Sequence, residues 1–165
     1  NNNVVEGGIG GGNEVEVKDE AEEKQTSQME IDAKYIKDNY NLDIPLQGTV
    51  TSRFGIRTPN NIVSANHAGI DIGANEGTKI VAAMDGEATL VSQEGDYGNH
   101  IKITNGNVTT LYAHCKSLYI NKGDKISKGM EIAEVGSTGR ATGPHLHFEI
   151  RAYDRLVNPE YVLKF

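Results

Sequence analysis

Ile101-Lys-Ile-Thr104, then Asn105-Gly106, then Val108-Thr-Thr-Leu-Tyr112, is the stretch that decides the fold. Apolar and polar residues alternate on either side of an Asn-Gly pair. Asparagine and glycine both tolerate a positive φ, so the pair predicts a two-residue type I′ hairpin loop between antiparallel strands. The same grammar extends outward. The apolar run Ile80-Val-Ala-Ala-Met84 ends at Asp85-Gly86, and Gly123-Asp-Lys-Ile126 and Gly129-Met-Glu-Ile132 alternate in short steps between glycines. After Gly48 no stretch keeps helical periodicity over three turns except a short candidate at Pro159–Phe165. Short strands at regular spacing predict an all-β chain, an antiparallel sheet or sandwich.

Composition agrees. The chain has 165 residues, 19 glycines and 4 prolines, with 37% hydrophobic residues, enough for one core. No apolar run reaches the roughly 18 residues that span a bilayer. The net charge of −7 is concentrated at the start: residues 1–40 hold 10 acidic and 4 basic side chains (net −6), residues 41–165 hold 13 and 12 (net −1). Neither part offers the basic stripe of a nucleic-acid binder. Asn1–Asn13 is rich in asparagine and glycine and reads as flexible. From Glu14 to Asn39, Ala21, Met29, Ile31, Ala33, Tyr35 and Ile36 form a weak helical stripe on an acidic background. The expectation is a flexible or partly helical acidic linker, or the end of an upstream segment, over residues 1–41, with a compact domain over 42–165. The start at Asn1, without methionine or an apolar leader, reads as a mature form or fragment, with any anchor, coiled coil, second module or partner-binding segment upstream.

Four of the five histidines fall in three motifs: His67-Ala-Gly-Ile-Asp71, Tyr112-Ala-His114 and His145-Leu-His147. Alternate side chains of a strand share a face, so His145 and His147 project together, with Glu149, while Leu146 and Phe148 face the core. The same parity puts His67 with Asp71, Tyr112 with His114, and Cys115 on the opposite face. Two histidines and a carboxylate are a common zinc set that leaves a fourth position for water, and bound zinc lowers that water's pKa to about 7. An isolated His-x-His or His-x-x-x-Asp carries little; their joint presence, with His114 before the second, carries much more. Cys115, the only cysteine, reads as a small core residue rather than a nucleophile, and His100 as an ordinary strand histidine.

These residues also carry a family resemblance. Thr51-Ser-Arg-Phe-Gly-Ile-Arg57, His67-Ala-Gly-Ile-Asp71-Ile-Gly73, Tyr97-Gly-Asn99, Leu111-Tyr-Ala-His114, Gly123–Gly129, Gly136-Ser-Thr-Gly139 and Thr142-Gly-Pro-His145-Leu-His147-Phe-Glu149 follow in order over about 100 residues. In this the chain resembles the lysostaphin/LytM-type zinc metalloendopeptidases that cut peptidoglycan peptides. The resemblance implies that His67, Asp71 and His147 bind Zn2+. It implies that His114 and His145 are catalytic without being ligands, and that the site lies in a groove across an antiparallel sheet. It also implies extracytoplasmic action on a peptidoglycan peptide, with no nucleic-acid partner. Relatives often carry an oxyanion-stabilising tyrosine before the first ligand. Thr58–Asn66 has none, which leaves either the two histidines alone or Tyr112 as a substitute. Asn39 and Asn41 are the candidates for the latency asparagine of some relatives.

Two other readings compete. A non-catalytic scaffold or activator of another hydrolase shares the fold but lacks one or more of the five positions, all of which this chain keeps. A biotinyl- or lipoyl-type carrier fits the turns around Gly123–Ile132, but the tip Ala83-Met-Asp-Gly-Glu87 has no lysine to modify.

Overall fold

The computed structural model describes residues 20–56 and 66–165, and every strand pair in it is antiparallel. Helix α1 (Glu20–Asn39) is followed by strands β1 (Thr49–Ser52), β2 (Gly55–Ile56), β3 (Asn66–His67), β4 (Ile70–Gly73), β5 (Lys79–Val81) and β6 (Gly86–Ser92). The chain continues through β7 (Asn99–Asn105), β8 (Val108–Leu118), β9 (Lys125–Ile126), β10 (Glu131–Val135), β11 (His145–Ala152) and β12 (Arg155–Val157). Seven strands lie in the order β1-β4-β11-β8-β7-β6-β9; β12 extends β11, and β10 joins β5 to β8. A separate two-stranded pair, β2 with β3, carries His67. The all-β expectation holds, with one helix added. The only other helical turn among the described residues is the 3-10 turn Pro159–Tyr161, whose start is capped by Asn158 Oδ1 accepting from Glu160 N–H at 2.9 Å.

The deciding hairpin forms between β7 and β8, but its loop sits one residue later than expected. Asn105 pairs with Val108, so Gly106 and Asn107 make the turn. Gly106 has φ 59, whereas Asn107 is not among the residues of positive φ, the pattern of a type II′ rather than a type I′ loop. The type I′ signature appears elsewhere, at the β11–β12 loop, where Tyr153 and Asp154 both have positive φ (51 and 66). No Asn-Gly announced it.

β8 is the spine of the sheet. Its first half lies between β11 and β7, from Val108 to Ala113 on the β11 side. At His114 the chain enters the left-handed region (φ 65), and from Cys115 to Leu118 β8 pairs with β10 instead. The register slip opposite Asn99 and Ile101 marks a bulge there, one extra residue that reorients the chain locally. The core lies on one face: Ile70, Ile72, Tyr112, Leu146, Phe148 and Ile150 are sealed from solvent.

Helix α1 takes the helical alternative of the sequence reading rather than the solvated linker, and packs onto this body. Ala33 and Ile36 enter the core, Met29 and Tyr35 pack against it, and Ile31 of the same stripe stays exposed. Arg155 grips the buried Asp32 with two parallel hydrogen bonds of 2.9 Å, which hold that carboxyl below the usual range. The Tyr35 and Tyr153 rings pack at a tilt, with centroids 5.2 Å apart, and Tyr40 Oη donates to Asn105 O at 2.8 Å. The end of α1 thus sits on the tips of two hairpins. We expect Ile36→Ala to cost about 2–5 kcal/mol in urea unfolding, against at most about 0.5 kcal/mol for Ile31→Ala.

Candidate metal centre

The site grows from the register of two strand pairs. His147 of β11 lies opposite Asp71 of β4 on one side and Ala113 of β8 on the other, and His145 lies opposite Gly73. Paired residues of an antiparallel ladder point to the same face, so Asp71, His145, His147 and Glu149 share one face while Ile72, Leu146 and Phe148 fill the core. Here the strand parity read from sequence holds.

It fails at two places. His67 and Asp71 do not lie on one extended segment: β3 and β4 are separated by Ala68-Gly69. Gly69 makes that bend possible at close quarters, because a Cβ there would sit 2.2 Å from Phe148 O. His67 still arrives, its Nε2 3.4 Å from Asp71 Oδ1. The second failure is at β8. Tyr112 points into the core, where its ring packs on Phe148 and its hydroxyl accepts from Ala83 N–H at 2.9 Å. It is therefore not available as a substitute for the missing loop tyrosine. His114, which strict alternation would turn toward the core with Tyr112, is swung back to the site by its left-handed backbone. Such strained φ values in non-glycine residues gather at functional sites. Cys115 is buried, and burial pushes its thiol up to about 12, which suits a core residue and not a thiolate nucleophile.

The ligand atoms of His67, Asp71 and His147 lie within 4.8 Å of one another. Asp71 Oδ1 is their meeting point, 2.9 Å from His147 Nδ1 and 3.4 Å from His67 Nε2. His145 Nε2 stands further off, at 3.7 Å. Each imidazole is held by its other nitrogen. His67 Nδ1 donates to Arg53 O at 2.9 Å, and His147 Nε2 donates to Glu149 Oε2 at 2.9 Å. His114 Nδ1 donates to Thr138 O at 2.8 Å and His145 Nδ1 to Gly143 O at 2.9 Å. A carbonyl only accepts, so Nδ1 carries a proton in His67, His114 and His145, and in the neutral form of each ring the lone pair is on Nε2. The rings of His114 and His145 are 5.0 Å apart.

The electrostatics follow from this packing. Burial pushes the Asp71 carboxyl up, but the hydrogen bonds that His147 and His67 donate when protonated, with their charge, outweigh it and hold Asp71 ionised well below the usual carboxylate range. Burial disfavours the charged form of His147, yet Asp71 and Glu149 on its two nitrogens raise it to about 9. In that charged state a proton sits on the Nδ1 lone pair that a metal would take. Burial, with the neighbouring His145 and His147, lowers His114 despite its bond to Thr138, so it is neutral at pH 7. Two imidazoles and one carboxylate, converging and leaving a fourth position, fit a four-coordinate zinc site with room for water.

With this geometry the sequence comparisons become specific. The profile described as Peptidase family M23 matches residues 65–159, which contain all five site positions. The chain belongs to peptidase family M23. It is 40% identical over 125 residues to the DD-carboxypeptidase/endopeptidase Mpg of Neisseria meningitidis, a match covering 74% of this chain and 29% of that protein. It is 38% identical over 95 residues to the peptidoglycan DD-endopeptidase ShyA of Vibrio cholerae, covering 57% of this chain and 22% of that one. Among solved structures, a zinc-containing peptidase from Vibrio cholerae superposes with a TM-score of 0.68 at 28% identity, over 77% of this chain and 40% of the other. The chain thus spans less than a third of the length of the curated relatives it matches. The M23 fold and the family resemblance read from the motifs are both established by these matches.

The other sequence candidates divide. His100 is a buried strand residue whose Nδ1 donates to Gly98 O at 2.8 Å, as expected of an ordinary strand histidine. Asn39 donates to Tyr35 O of its own helix at 2.9 Å. Its neighbour Tyr40 is anchored at the β7–β8 tip, six residues or roughly 20 Å of strand from His114. Thr58–Ala65 lies outside the described residues. Sequence reasoning missed Thr138, which holds His114 through its carbonyl while its hydroxyl donates to Cys115 O at 2.7 Å and accepts from Asn99 N–H at 3.1 Å. The signal was the quoted Gly136-Ser-Thr-Gly139 motif, to which no role was given.

Proposed function

We propose that this M23 domain is a zinc-dependent endopeptidase that cleaves peptide stems or cross-links of bacterial peptidoglycan outside the cytoplasm. The observation that carries the reading is the convergence of His67, Asp71 and His147 on one point beside two further histidines whose free nitrogens are fixed by carbonyl partners. His67, Asp71 and His147 would hold the ion. Zinc bound there supplies Lewis acidity and a water acidic enough to ionise near neutral pH.

The rest is the work of the chain's own groups. In the neutral form of His114 and His145 the proton is on Nδ1, committed to a backbone carbonyl, and Nε2 holds the lone pair. Either imidazole is therefore ready to take a proton at Nε2 as the attacking water adds to the scissile carbonyl. Once protonated, the same nitrogen becomes a donor, able to steady the oxyanion and to pass a proton to the leaving amine. The depressed basicity of His114 suits a group that must release its proton within the same turnover.

Purified peptidoglycans of differing cross-bridge chemistry, digested with the zinc-loaded chain, test the reading. We expect new amine and carboxyl termini at one type of peptide bond, identified by mass spectrometry of the released peptides. A chain that holds zinc yet releases no peptide from any wall type would favour the non-catalytic scaffold or activator instead. All five positions that such forms lose are kept here, which supports the enzyme.

A further inference from the structure

Tyr97 of the Tyr97-Gly-Asn99 motif occupies a position that the chemistry above does not use. It lies in the β6–β7 loop and touches the site in three ways. Its carbonyl accepts from His114 N–H at 2.8 Å, at the strained turn of β8. Its ring stacks on that of His147, with centroids 5.7 Å apart and planes 26° from parallel. Its hydroxyl donates to Glu149 Oε2, the same oxygen that accepts the Nε2 proton of His147.

Glu149 is 1% exposed, so bulk solvent does not screen its charge. Its other oxygen, Oε1, has no hydrogen-bond partner among the described residues; the Arg151 guanidinium lies 3.6 Å away. A buried carboxylate costs free energy in proportion to how poorly it is satisfied. Here two donors converge on Oε2, and that oxygen holds His147 by Nε2 so that Nδ1 is directed at Asp71. Stacking restrains the same imidazole from its face.

We propose that Tyr97 is a positioning residue for the metal ligand His147, acting through the Glu149 carboxylate. This rests on the metal reading of His67, Asp71 and His147. Partners that orient a ligating histidine from behind typically contribute about 10–100-fold to metal affinity. A purely structural tyrosine, by contrast, would hold its loop through ring packing and backbone bonds, which phenylalanine preserves.

The experiment is a zinc-affinity titration of the full chain against a competing chelator, for wild type, Tyr97→Phe, Glu149→Leu and the double variant. Metal-free melting curves are recorded alongside to show that each chain folds. We expect Tyr97→Phe to melt near wild type but to bind zinc roughly tenfold or more weakly. We also expect the double variant to bind no more weakly than Glu149→Leu alone, because leucine has no acceptor and the hydroxyl has nothing left to act through. Wild-type affinity in Tyr97→Phe, or losses that multiply in the double variant, would overturn the proposal. A wild-type chain that binds no zinc would overturn the metal reading beneath it, a result distinguishable from the other two.

Discussion

Asp71→Asn is expected to cost this chain more zinc affinity than any other single substitution. The asparagine keeps the shape and the place on β4, so the fold should persist. What goes is the charge on the one oxygen that lies within 3.4 Å of both His67 Nε2 and His147 Nδ1. A neutral amide is a far poorer ligand for a dication than a carboxylate. The loss should exceed the roughly 10–100-fold attached to an outer partner, and cleavage should fall with it. Chelator competition and residual activity at saturating zinc measure the two effects. Near-normal binding would mean that the convergence at Asp71 is not a metal site.

The second large effect is His145→Ala, and its signature is the opposite split. His145 lies close enough to Asp71, at 3.7 Å, to be mistaken for a ligand. Its Nδ1 is tied to Gly143 O rather than to a carboxylate, and its ring is paired with that of His114. As a proton carrier it should contribute about 10²–10⁴-fold to turnover, with zinc affinity within a few-fold of wild type. His114→Ala should behave alike. Because the two imidazoles serve one proton path, the double variant should lose much less than the product of the single losses. If His145→Ala loses zinc along with activity, His145 is a ligand and the assignment of the triad is wrong.

What was legible in the sequence was whatever depends on short periods. The period of two put His145, His147 and Glu149 on one face and Leu146 and Phe148 on the other, and the register of β11 against β4 and β8 bears this out. The Asn-Gly pair located the central hairpin, though the competing Gly-Asn pair set its loop. What was not legible depends on breaks in that period or on distant partners. A single left-handed residue, His114, breaks the alternation of β8, so Tyr112 belongs to the core and His114 to the site. Nothing in Leu111-Tyr-Ala-His114 announces a positive φ at a histidine. The acidic N-terminal stretch looked too polar to dock, because its anchor, Arg155, comes 123 residues after Asp32. Tyr97 was visible as a motif, but its meaning depends on Glu149, 52 residues on.

The scaffold explains why the machinery sits where it does. β8 leaves β11 for β10 at His114, and β10 runs on to Gly136, which bridges to His145. The corner opened by that exchange is where Thr138 O and Gly143 O become available to hold His114 and His145. Asp71 and His147 of the candidate triad lie on the regular ladder between β4 and β11, with His67 on its own short ribbon. The proposed proton carriers, His114 and His145, lie at the irregular corner. Regular strands thus place two of the proposed ligands, while loop carbonyls hold the two further imidazoles.

The most direct test of the central claim is release of peptides from purified peptidoglycan by the metal-stripped chain before and after one equivalent of zinc. The account predicts no cleavage without metal and full recovery at a stoichiometry of one, with recovery absent in Asp71→Asn. Equal cleavage by stripped and zinc-loaded chain, at verified metal content, would contradict it.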